Sequence, residues 1–276
     1  MSNYKLIVSD LDGTLLDDAM NLSEKNSNAI SELHKLGISF VASSGRTLYE
    51  IPESIRENPN IRYVIYSNGT AIYDKEKERD IVSNRISKAV ANEAFYIISD
   101  YDVIYSLLAN GRSNMDKKVS SKRIDLSYYQ INDYYKTLLL RSELICGIEE
   151  LGRNTDGLEA VVLFFHSDEE LEECKSRLNK LSGITVTSSI LHNLELCSSR
   201  AGKGRALSQL ADLLSIARES IIAIGDNMND TSMFSEAGLS LCVENGSEDA
   251  KSLADKVICS NLEGVADYVL KNIIIK

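Results

Sequence analysis

Several features that mark other classes of protein are absent from this sequence of 276 residues. It contains no tryptophan and only two prolines, and no apolar run reaches the roughly 18 to 20 residues that a membrane-spanning helix needs. The first residues show no basic segment followed by a long apolar one, which a secretory signal would have. We therefore expect a soluble protein that is not exported and that resides in the cytoplasm.

Positive charge is also in short supply. Lysine and arginine number 30 against 41 aspartates and glutamates, which gives a net charge of −11 with histidine neutral. A negative surface repels the phosphates of nucleic acids and the headgroups of anionic membranes. We therefore expect neither nucleic acid nor membrane as a partner, while a local cationic pocket for a phosphate stays compatible with this charge.

Cysteine and histidine are few and scattered. The five cysteines are odd in number and none belongs to a CxxC pair, which predicts reduced thiols in a cytoplasmic protein. The three histidines, His34, His166 and His192, lack metal-ligand spacing, and we interpret them as structural or surface residues. Neither residue type predicts a zinc site or a disulfide-stabilised fold.

Apolar runs alternate with amphipathic segments at both ends of the chain, and 43% of all residues are apolar. Ser23 is expected to begin a helix that Gly37 ends. Strands are predicted at residues 6–8, 38–42, 63–66, 220–225 and 239–243. This alternation predicts an α/β fold with a doubly wound, Rossmann-like parallel sheet and right-handed crossovers.

The middle of the chain has a different character, being rich in tyrosine and charge. Ser167 and Glu170 form a capping box before an amphipathic helix, and residues 158–165 and 184–190 resemble strands. No nucleotide-type glycine loop occurs here. We predict an α+β domain at residues 84–192, inserted into a catalytic core formed by residues 1–83 and 193–276.

Polar side chains follow three of the predicted strands. They belong to the segments Asp10–Thr14, Ser43–Gly45 and Gly225–Asp230. In open parallel sheets, ligands bind beyond the carboxyl ends of the strands. These loops are therefore expected to converge on one site.

The residues of these loops suit phosphoryl transfer. A carboxylate such as Asp10 can attack phosphorus and form an aspartyl-phosphate, and Asp12 can act as general acid and then as general base. Asp10 and Asp226 offer the hard oxygen ligands that Mg²⁺ prefers. The donors predicted to hold the phosphoryl oxygens are Ser44, the backbone of Gly45, Lys203 and Asn229.

Together these segments resemble the haloacid dehalogenase superfamily of phosphatases, in its Cof-type group with a larger inserted α/β cap. Asp10-Leu-Asp-Gly-Thr14 is similar to the first motif of that superfamily, and Ser44-Gly45-Arg46 is similar to the second. Ser67-Asn-Gly-Thr70 resembles the turn after the third strand. Lys203-Gly204 is similar to the lysine motif, and Gly225-Asp-Asn-Met-Asn-Asp230 to the acidic last motif.

The resemblance implies a role for each matching residue. Asp10 would be the nucleophile and Asp12 the acid and base. Mg²⁺ would be held by the side chains of Asp10 and Asp226 and by the backbone carbonyl of Asp12. Phosphate would be bound by Ser44, Gly45, Lys203 and Asn229. Asp230 would support Lys203 or a metal-bound water.

The chain departs from the Cof-type pattern at two places. Related proteins often have threonine where Ser44 stands, and serine keeps the hydroxyl. After the last motif they often show an Ala-Met-Gly-Asn-Ala-like stretch, whereas this chain has Cys242-Val-Glu-Asn-Gly246. We expect this difference to alter the edge of the pocket near Glu244 and Asn245.

Each site residue also has a plainer interpretation. Asp10 and Asp12 could belong to an ordinary turn, and Ser44, Asp226 and Asp230 could cap helices. Lys203 taken alone could be a solvated surface lysine. Arg46 could form a structural ion pair or contact the substrate.

The function that these predictions favour is hydrolysis of small phosphorylated metabolites such as sugar phosphates, by a monomer or small homo-oligomer, with the inserted domain closing over the site. A phosphomutase of the same superfamily and a non-catalytic sensor of phosphorylated metabolites are the alternatives. A dinucleotide oxidoreductase is disfavoured because no GxGxxG motif follows the first strand.

Overall fold

The chain folds as two units in the computed structural model, which describes residues 3–120, 126–129, 131, 142–188 and 191–275. The first unit runs up to Ser83 and resumes at Ala201, and the second spans Asn84–Arg200. Within the described part of the chain, every helix is too short or too polar to span a bilayer.

Eight of the described strands form one sheet in the first unit. They are β1 (Leu6–Asp10), β2 (Ser39–Ser43), β3 (Tyr63–Tyr66), β4 (Ala71–Asp74), β5 (Arg79–Ser83), β12 (Ile221–Gly225), β13 (Leu239–Val243) and β14 (Lys256–Ile258). Their order is β14-β13-β12-β1-β2-β3-β4-β5. The strands from β14 to β3 pair in parallel, whereas β4 and β5 pair antiparallel at one edge.

Helices cover both faces of this sheet. They are α1 (Glu24–Lys35), α2 (Glu53–Arg56), α7 (Lys203–Leu214), α8 (Thr231–Glu236), α9 (Glu248–Leu253) and α10 (Val265–Val269). Side chains alternate along β1, so that Ile7 packs in one core with α1 and α10, while Leu6 and Val8 pack in another with α7 and α8. This arrangement confirms the predicted doubly wound α/β fold.

A second sheet of six described strands forms the second unit. Its strands are β6 (Val103–Ala109), β7 (Arg112–Asp116), β8 (Glu143–Ile145), β9 (Ala160–Phe165), β10 (Ile184–Thr187) and β11 (Asn193–Ser198). The order is β10-β11-β9-β6-β7-β8, and all neighbours pair antiparallel except β7 and β8. The antiparallel pairing confirms the α+β character expected of the middle region.

Three of the described helices of the second unit pack in one core with its sheet. The described helices are α3 (Lys88–Ile98), α4 (Lys117–Ser120), α5 (Ile148–Asn154) and α6 (Asp168–Leu178). Phe95 of α3, Ile148 of α5 and Cys174 of α6 belong to one buried core with the strands. At the start of α6, the Ser167 hydroxyl accepts a hydrogen bond from the Glu170 amide, which is one of the two hydrogen bonds of the predicted capping box.

The predicted boundary between residues 192 and 193 is wrong. Strand β11 begins at Asn193 and hydrogen-bonds to β9 and β10 inside the second sheet. The chain returns to the first unit only at Ala201. The strand predicted at residues 184–190 is β10, which ends at Thr187, and residues 189 and 190 lie outside the described residues.

The parallel strands of the first unit bring their carboxyl ends to the same edge of the sheet. Asp10 at the end of β1 lies beside Ser43 at the end of β2. On the other side of β1, strand β12 ends at Gly225, directly before Asp226. The polar loops singled out in the sequence therefore follow neighbouring strands.

An ion pair with a buried carboxylate joins the residue before β3 to the end of β4. Arg62 donates to both carboxylate oxygens of Asp74, at 3.0 and 2.9 Å, and the Asp74 side chain is fully buried. Burial alone would raise the pKa of Asp74, but the hydrogen bonds and the charge of Arg62 outweigh it and hold the pKa below its ordinary value. This pair therefore stabilises the fold above the ordinary pKa of aspartate and loses that effect as pH falls through the lowered pKa.

Replacing Arg62→Gln is expected to lower the free energy of unfolding by about 2–3 kcal/mol at neutral pH, because it removes both charge-assisted hydrogen bonds of a buried carboxylate and leaves, among the described residues, only the ammonium group of Lys77, at 3.8 Å, as its cation. The difference from the wild type should narrow below about pH 4, where Asp74 takes up a proton. Urea unfolding at several pH values measures both effects. Arg79→Gln, at an exposed position on β5, is the control. An equal loss of unfolding free energy in both variants would contradict the stabilising effect of the ion pair between Arg62 and Asp74.

Candidate active site

The first polar loop leaves strand β1 at Asp10. Residues Leu11–Leu15 form a single tight turn, inside which Asp12 has an extended backbone and Gly13 has a φ of +78°. The turn is closed by a hydrogen bond from the Leu16 amide to the Leu11 carbonyl, at 2.9 Å. Asp10 is therefore the last residue of a buried strand, and Asp12 lies on the irregular backbone that follows it.

Lys203 lies at the centre of the site. It is the first residue of α7, and its side chain is only 1% exposed. Its ammonium group donates to Oδ1 of Asp10 at 2.5 Å and to Oδ1 of Asp230 at 2.6 Å. Burial would lower the pKa of Lys203, but the two carboxylates outweigh burial and raise it. Lys203 is therefore a buried cation, not a solvated surface lysine.

Three carboxylates meet beside this lysine. Oxygens of Asp10, Asp226 and Asp230 all lie within 4.8 Å of one another. Burial, together with the charge of Asp230, raises the pKa of Asp10 to about 8, although Lys203 opposes this shift. The same two causes raise the pKa of Asp226 to about 6. One ammonium group therefore offsets only part of the negative charge, and a divalent cation would offset more of it.

The three carboxylates are not equivalent as metal ligands. Asp230 uses Oδ1 for Lys203 and accepts hydrogen bonds at Oδ2 from the amides of Asp226 and Asn227, at 3.1 and 3.2 Å. Asp230 thus orients Lys203 and the loop after β12. Asp10 and Asp226 are better placed to bind a cation, and their hard oxygens fit Mg²⁺.

Asp226 is held by the loop that follows β1. The Thr14 hydroxyl donates to Oδ1 of Asp226 at 3.1 Å. A Cβ atom at position 13 would lie 2.9 Å from Oδ2 of Asp226, which explains why glycine occupies this position. The first and last acidic motifs are therefore in direct contact.

Asp12 forms an ion pair with Arg46. The Arg46 guanidinium donates from Nε to Oδ2 of Asp12 at 2.8 Å and from Nη2 to Oδ1 at 2.9 Å. Both side chains are about one-third exposed, at 30% and 37%. Of the two interpretations that the sequence left for Arg46, the structure contains the ion pair, and this pair orients the carboxylate of Asp12.

The loop after β2 packs against the Asn-Gly turn after β3. Ser44 is buried, and its hydroxyl accepts a hydrogen bond from the Arg46 amide at 3.1 Å. The Asn68 amide donates to the Ser44 carbonyl at 3.0 Å. A Cβ atom at Gly45 would lie 3.2 Å from the Asn68 side chain. Glycine therefore allows the close approach of Asn68 at this position.

Asn229 is exposed in the short helical turn that precedes α8, one residue before Asp230. The same turn brings Asp230 to Lys203, so Asn229 lies on the loop that borders the carboxylates. Its side chain is thus accessible to a ligand, unlike that of Asp230, which is fully buried.

Three residues that were not predicted as site residues contact the polar loops. Thr14 binds Asp226, Asn68 packs on Gly45, and Asn245 donates to the Gly13 carbonyl at 2.7 Å. Thr14 and Asn68 stand inside the motifs quoted above, and Asn245 stands in the segment that departs from the Cof-type pattern. Their positions in these segments could have marked them as candidate site residues. Their contact partners, however, depend on the tertiary structure.

Comparisons with known proteins agree on one family. The family model of the haloacid dehalogenase-like hydrolases matches residues 7–269. Phosphatase YwpJ of Bacillus subtilis is 31% identical, with 98% of this chain and 100% of the relative covered. The 5-amino-6-(5-phospho-D-ribitylamino)uracil phosphatase YwtE of the same organism is 28% identical, with 96% of each chain covered.

A solved structure is similar to this chain over nearly its whole length. The crystal structure of TM0651 from Thermotoga maritima has a TM-score of 0.82 and 26% identity, and the match covers 99% of this chain and 98% of that chain. The similarity therefore includes both units, not only the one that carries the carboxylates.

Replacing Lys203→Met is expected to lower the free energy of unfolding by about 3–5 kcal/mol in the presence of a chelator, because buried carboxylates then lack their cation. The double variant Lys203→Met/Asp230→Asn should be more stable than the single variant by about 1–3 kcal/mol, since one of the repelling charges is gone. Urea unfolding of the four proteins of this cycle measures the coupling.

The matched control is the exposed pair of Lys35 and Glu32, at 65% and 54% exposure. The cycle of Lys35→Met and Glu32→Gln should give a coupling below about 0.5 kcal/mol. Equal coupling energies in the two cycles would contradict the conclusion that Lys203 stabilises the buried carboxylates.

Proposed function

Because the chain belongs to the haloacid dehalogenase-like hydrolase family and is a phosphatase-type enzyme of that family, we propose that it releases phosphate from small phosphorylated metabolites through an aspartyl-phosphate on Asp10, with Mg²⁺ as its cofactor. The observation that carries this proposal is the contact of Asp10 with Lys203 at the end of β1, beside Asp226. A buried carboxylate with one oxygen held in place has the geometry of a preorganised nucleophile.

The first step forms the covalent intermediate. Lys203 holds Oδ1 of Asp10, so Oδ2 is the oxygen that attacks phosphorus. The new Oδ2–P bond forms as the bond from phosphorus to the leaving oxygen breaks. Asp12 donates a proton to that oxygen, so that an alcohol leaves in place of an alkoxide. The positive charge of Lys203 stabilises the charge that develops on the phosphoryl oxygens.

The second step releases phosphate. Asp12, now deprotonated, takes a proton from a water molecule that attacks the phosphorus of the aspartyl-phosphate. The bond between Oδ2 and phosphorus then breaks and restores the Asp10 carboxylate. Because Arg46 orients Asp12 through two hydrogen bonds to its carboxylate oxygens, we propose that Arg46 positions Asp12 as the base of this second step without contacting the reacting atoms.

The proposed metal ligands are the side chains of Asp10 and Asp226 and the backbone carbonyl of Asp12. When bound, Mg²⁺ supplies positive charge that offsets the repulsion between a phosphate dianion and the carboxylates. Ser44, the Gly45 backbone, Lys203 and Asn229 are the proposed phosphate-binding groups, and Asp230 keeps Lys203 in place. Thr14 orients Asp226 through its hydrogen bond.

The proposed substrates are sugar phosphates and related small phosphomonoesters. The relative YwtE is named for a phosphorylated ribityl compound, which supports a phosphorylated sugar or sugar alcohol as the class. A phosphomutase would return the phosphoryl group to its substrate, whereas the relatives cited above are named phosphatases, which favours transfer to water. A non-catalytic sensor would not need Asp10, Asp12 and Asp226 together, and all three are present.

The composition of the chain supports a proposal on its cellular setting. We propose a cytoplasmic enzyme, a monomer or small homo-oligomer, with no nucleic acid and no membrane as partner. The negative net charge of −11 and the five cysteines, none of them in a disulfide, support this setting. We also propose that the second unit is the cap domain that contributes substrate specificity.

The test is phosphate release from a panel of phosphorylated sugars, sugar alcohols and nucleotides, with Mg²⁺ and with excess chelator. Wild-type protein should release phosphate from at least one sugar phosphate only when Mg²⁺ is present. Asp10→Asn should reduce kcat by about 10³-fold or more, because the nucleophile is lost. Asp212→Asn, the same substitution at an exposed position on α7, should keep the wild-type rate.

Two results would overturn the proposal. One is a wild-type protein that releases no phosphate from any member of the panel. The other is an Asp10→Asn variant that keeps its activity after deamidation of the new asparagine has been excluded by mass spectrometry.

A further inference from the structure

The turn that carries Asp12 contains a residue with a flexible backbone, Gly13. Its φ of +78° and the 2.9 Å distance from a hypothetical Cβ to Oδ2 of Asp226 require glycine. Glycine adopts many backbone conformations at similar energy, so nothing in this residue itself holds the turn in one of them. The Gly13 peptide groups need a partner from elsewhere in the chain to keep the turn in place.

Asn245 supplies that partner. Its side-chain amide donates from Nδ2 to the Gly13 carbonyl at 2.7 Å, while its Oδ1 accepts a hydrogen bond from the Asn261 amide at 2.9 Å. The donor and the acceptor of one amide are thus both used, which fixes the orientation of the group. The contact joins positions 232 residues apart.

The segment that carries Asn245 is itself anchored to the acidic motif after β12. The Gly246 amide donates to the Val243 carbonyl at 2.9 Å, and the Ser247 amide donates to the Asp226 carbonyl at 2.8 Å. The turn at residues 243–246 therefore contacts the backbone of Asp226, while Asn245 contacts the backbone of Gly13. Both proposed metal-binding loops are connected through this turn.

Asn261 extends the same connection. Its Nδ2 donates to the Leu16 carbonyl at 3.0 Å, at the far end of the turn that begins at Leu11. Asn245 and Asn261 together therefore bind the turn at two carbonyls, those of Gly13 and Leu16. Asn261 is buried, whereas Asn245 is exposed. An exposed residue can be replaced at small cost to the fold, which makes Asn245 the informative position.

A simpler interpretation is that Asn245 only stabilises its own turn. That interpretation predicts a local partner for its side chain, as with Asn227, which accepts from the amide of the next residue. The partners of Asn245 are instead Gly13 and Asn261, neither of which belongs to its own turn. The geometry therefore favours a function in the loop that Asn245 contacts.

We propose that Asn245 is a positioning residue for the phosphatase reaction: through the Gly13 carbonyl it holds the Asp10–Thr14 loop in the geometry that the reaction needs. This inference rests on the function proposed above. Asn245 does not touch the reacting atoms. It acts through the backbone that connects Asp12 to Thr14. This backbone determines the position of Asp12 relative to the substrate and of Thr14 relative to Asp226.

The test compares two replacements of Asn245. Asn245→Ala removes the donor without adding charge, and Asn245→Asp keeps the size and the acceptor but replaces the donor with an oxygen. Both variants should lower kcat by about 10- to 100-fold, because small displacements of catalytic groups have effects of this size. KM should change by less than about threefold, since the phosphate-binding groups are left in place.

The second readout is independent of activity. Hydrogen exchange measured by mass spectrometry, without metal or substrate, should be faster in both variants for the peptide that contains residues 11–16, because the loop opens more often. Peptides from α1 and α7 should exchange as in the wild type, which excludes general unfolding.

Asn272 provides the matched control. Its Nδ2 donates to the Tyr268 carbonyl at 2.9 Å, four residues earlier and near the end of the chain, and no contact of Asn272 with the proposed site residues is among its described hydrogen bonds. Asn272→Ala and Asn272→Asp should keep the wild-type kcat and the wild-type exchange of residues 11–16. The control thus removes an equivalent hydrogen bond from an asparagine to a backbone carbonyl.

Three results would overturn the inference: an unchanged kcat in both Asn245 variants, an unchanged exchange of residues 11–16, or the same losses in the Asn272 variants. A wild-type protein that releases no phosphate would overturn the proposed function instead. That failure appears before any variant is compared, so the two outcomes are distinguishable.

Discussion

The ammonium group of Lys203 lies between the carboxylates of Asp10 and Asp230, and the other contacts of the site are arranged around this buried group. Buried carboxylates repel one another strongly where water is excluded, and an unpaired buried charge costs several kcal/mol. Lys203 makes it possible for three carboxylates to share a space in which their oxygens lie within 4.8 Å. Asp230 in turn keeps the lysine and the loop after β12 in place.

This arrangement leaves an excess of negative charge at the end of β1, and that excess favours the binding of a cation. The raised pKa values of Asp10 and Asp226 reflect burial and mutual repulsion. A divalent cation relieves the same repulsion and draws a phosphate dianion towards carboxylates that would otherwise repel it. The repulsion that destabilises the carboxylates is therefore the same interaction that favours binding of the proposed cation.

Much of the fold and of the site could be predicted from the sequence. Asp10 and Asp226 follow apolar runs, and the topology of parallel sheets brings the ends of such runs together. Ser23 was predicted to begin a helix, and its hydroxyl accepts a hydrogen bond from the Asn26 amide at the start of α1. The α/β fold, the family and the enzyme class are confirmed, whereas the individual roles of the site residues stay predictions.

The features that the sequence did not reveal depend on contacts between distant residues. Strand β11 was not predicted from the sequence, and the boundary of the inserted domain was placed before it. Only the pairing of β11 with β9 and β10 shows that it belongs to the second sheet. The partner of Arg46 had two interpretations, since a charge pattern does not specify which carboxylate an arginine meets. The contact of Asn245 with Gly13 joins the two ends of the chain, and no local pattern encodes it.

In the proposed mechanism Asp10 carries the phosphoryl group during turnover, and chemical trapping can detect the group at this residue. An aspartyl-phosphate is an acyl phosphate that borohydride reduces to homoserine. Protein quenched with borohydride while it turns over a sugar phosphate should therefore contain homoserine at position 10, detected by mass spectrometry of the peptide that includes β1. Homoserine at position 12 or 226, or turnover with an unmodified Asp10, would contradict the account.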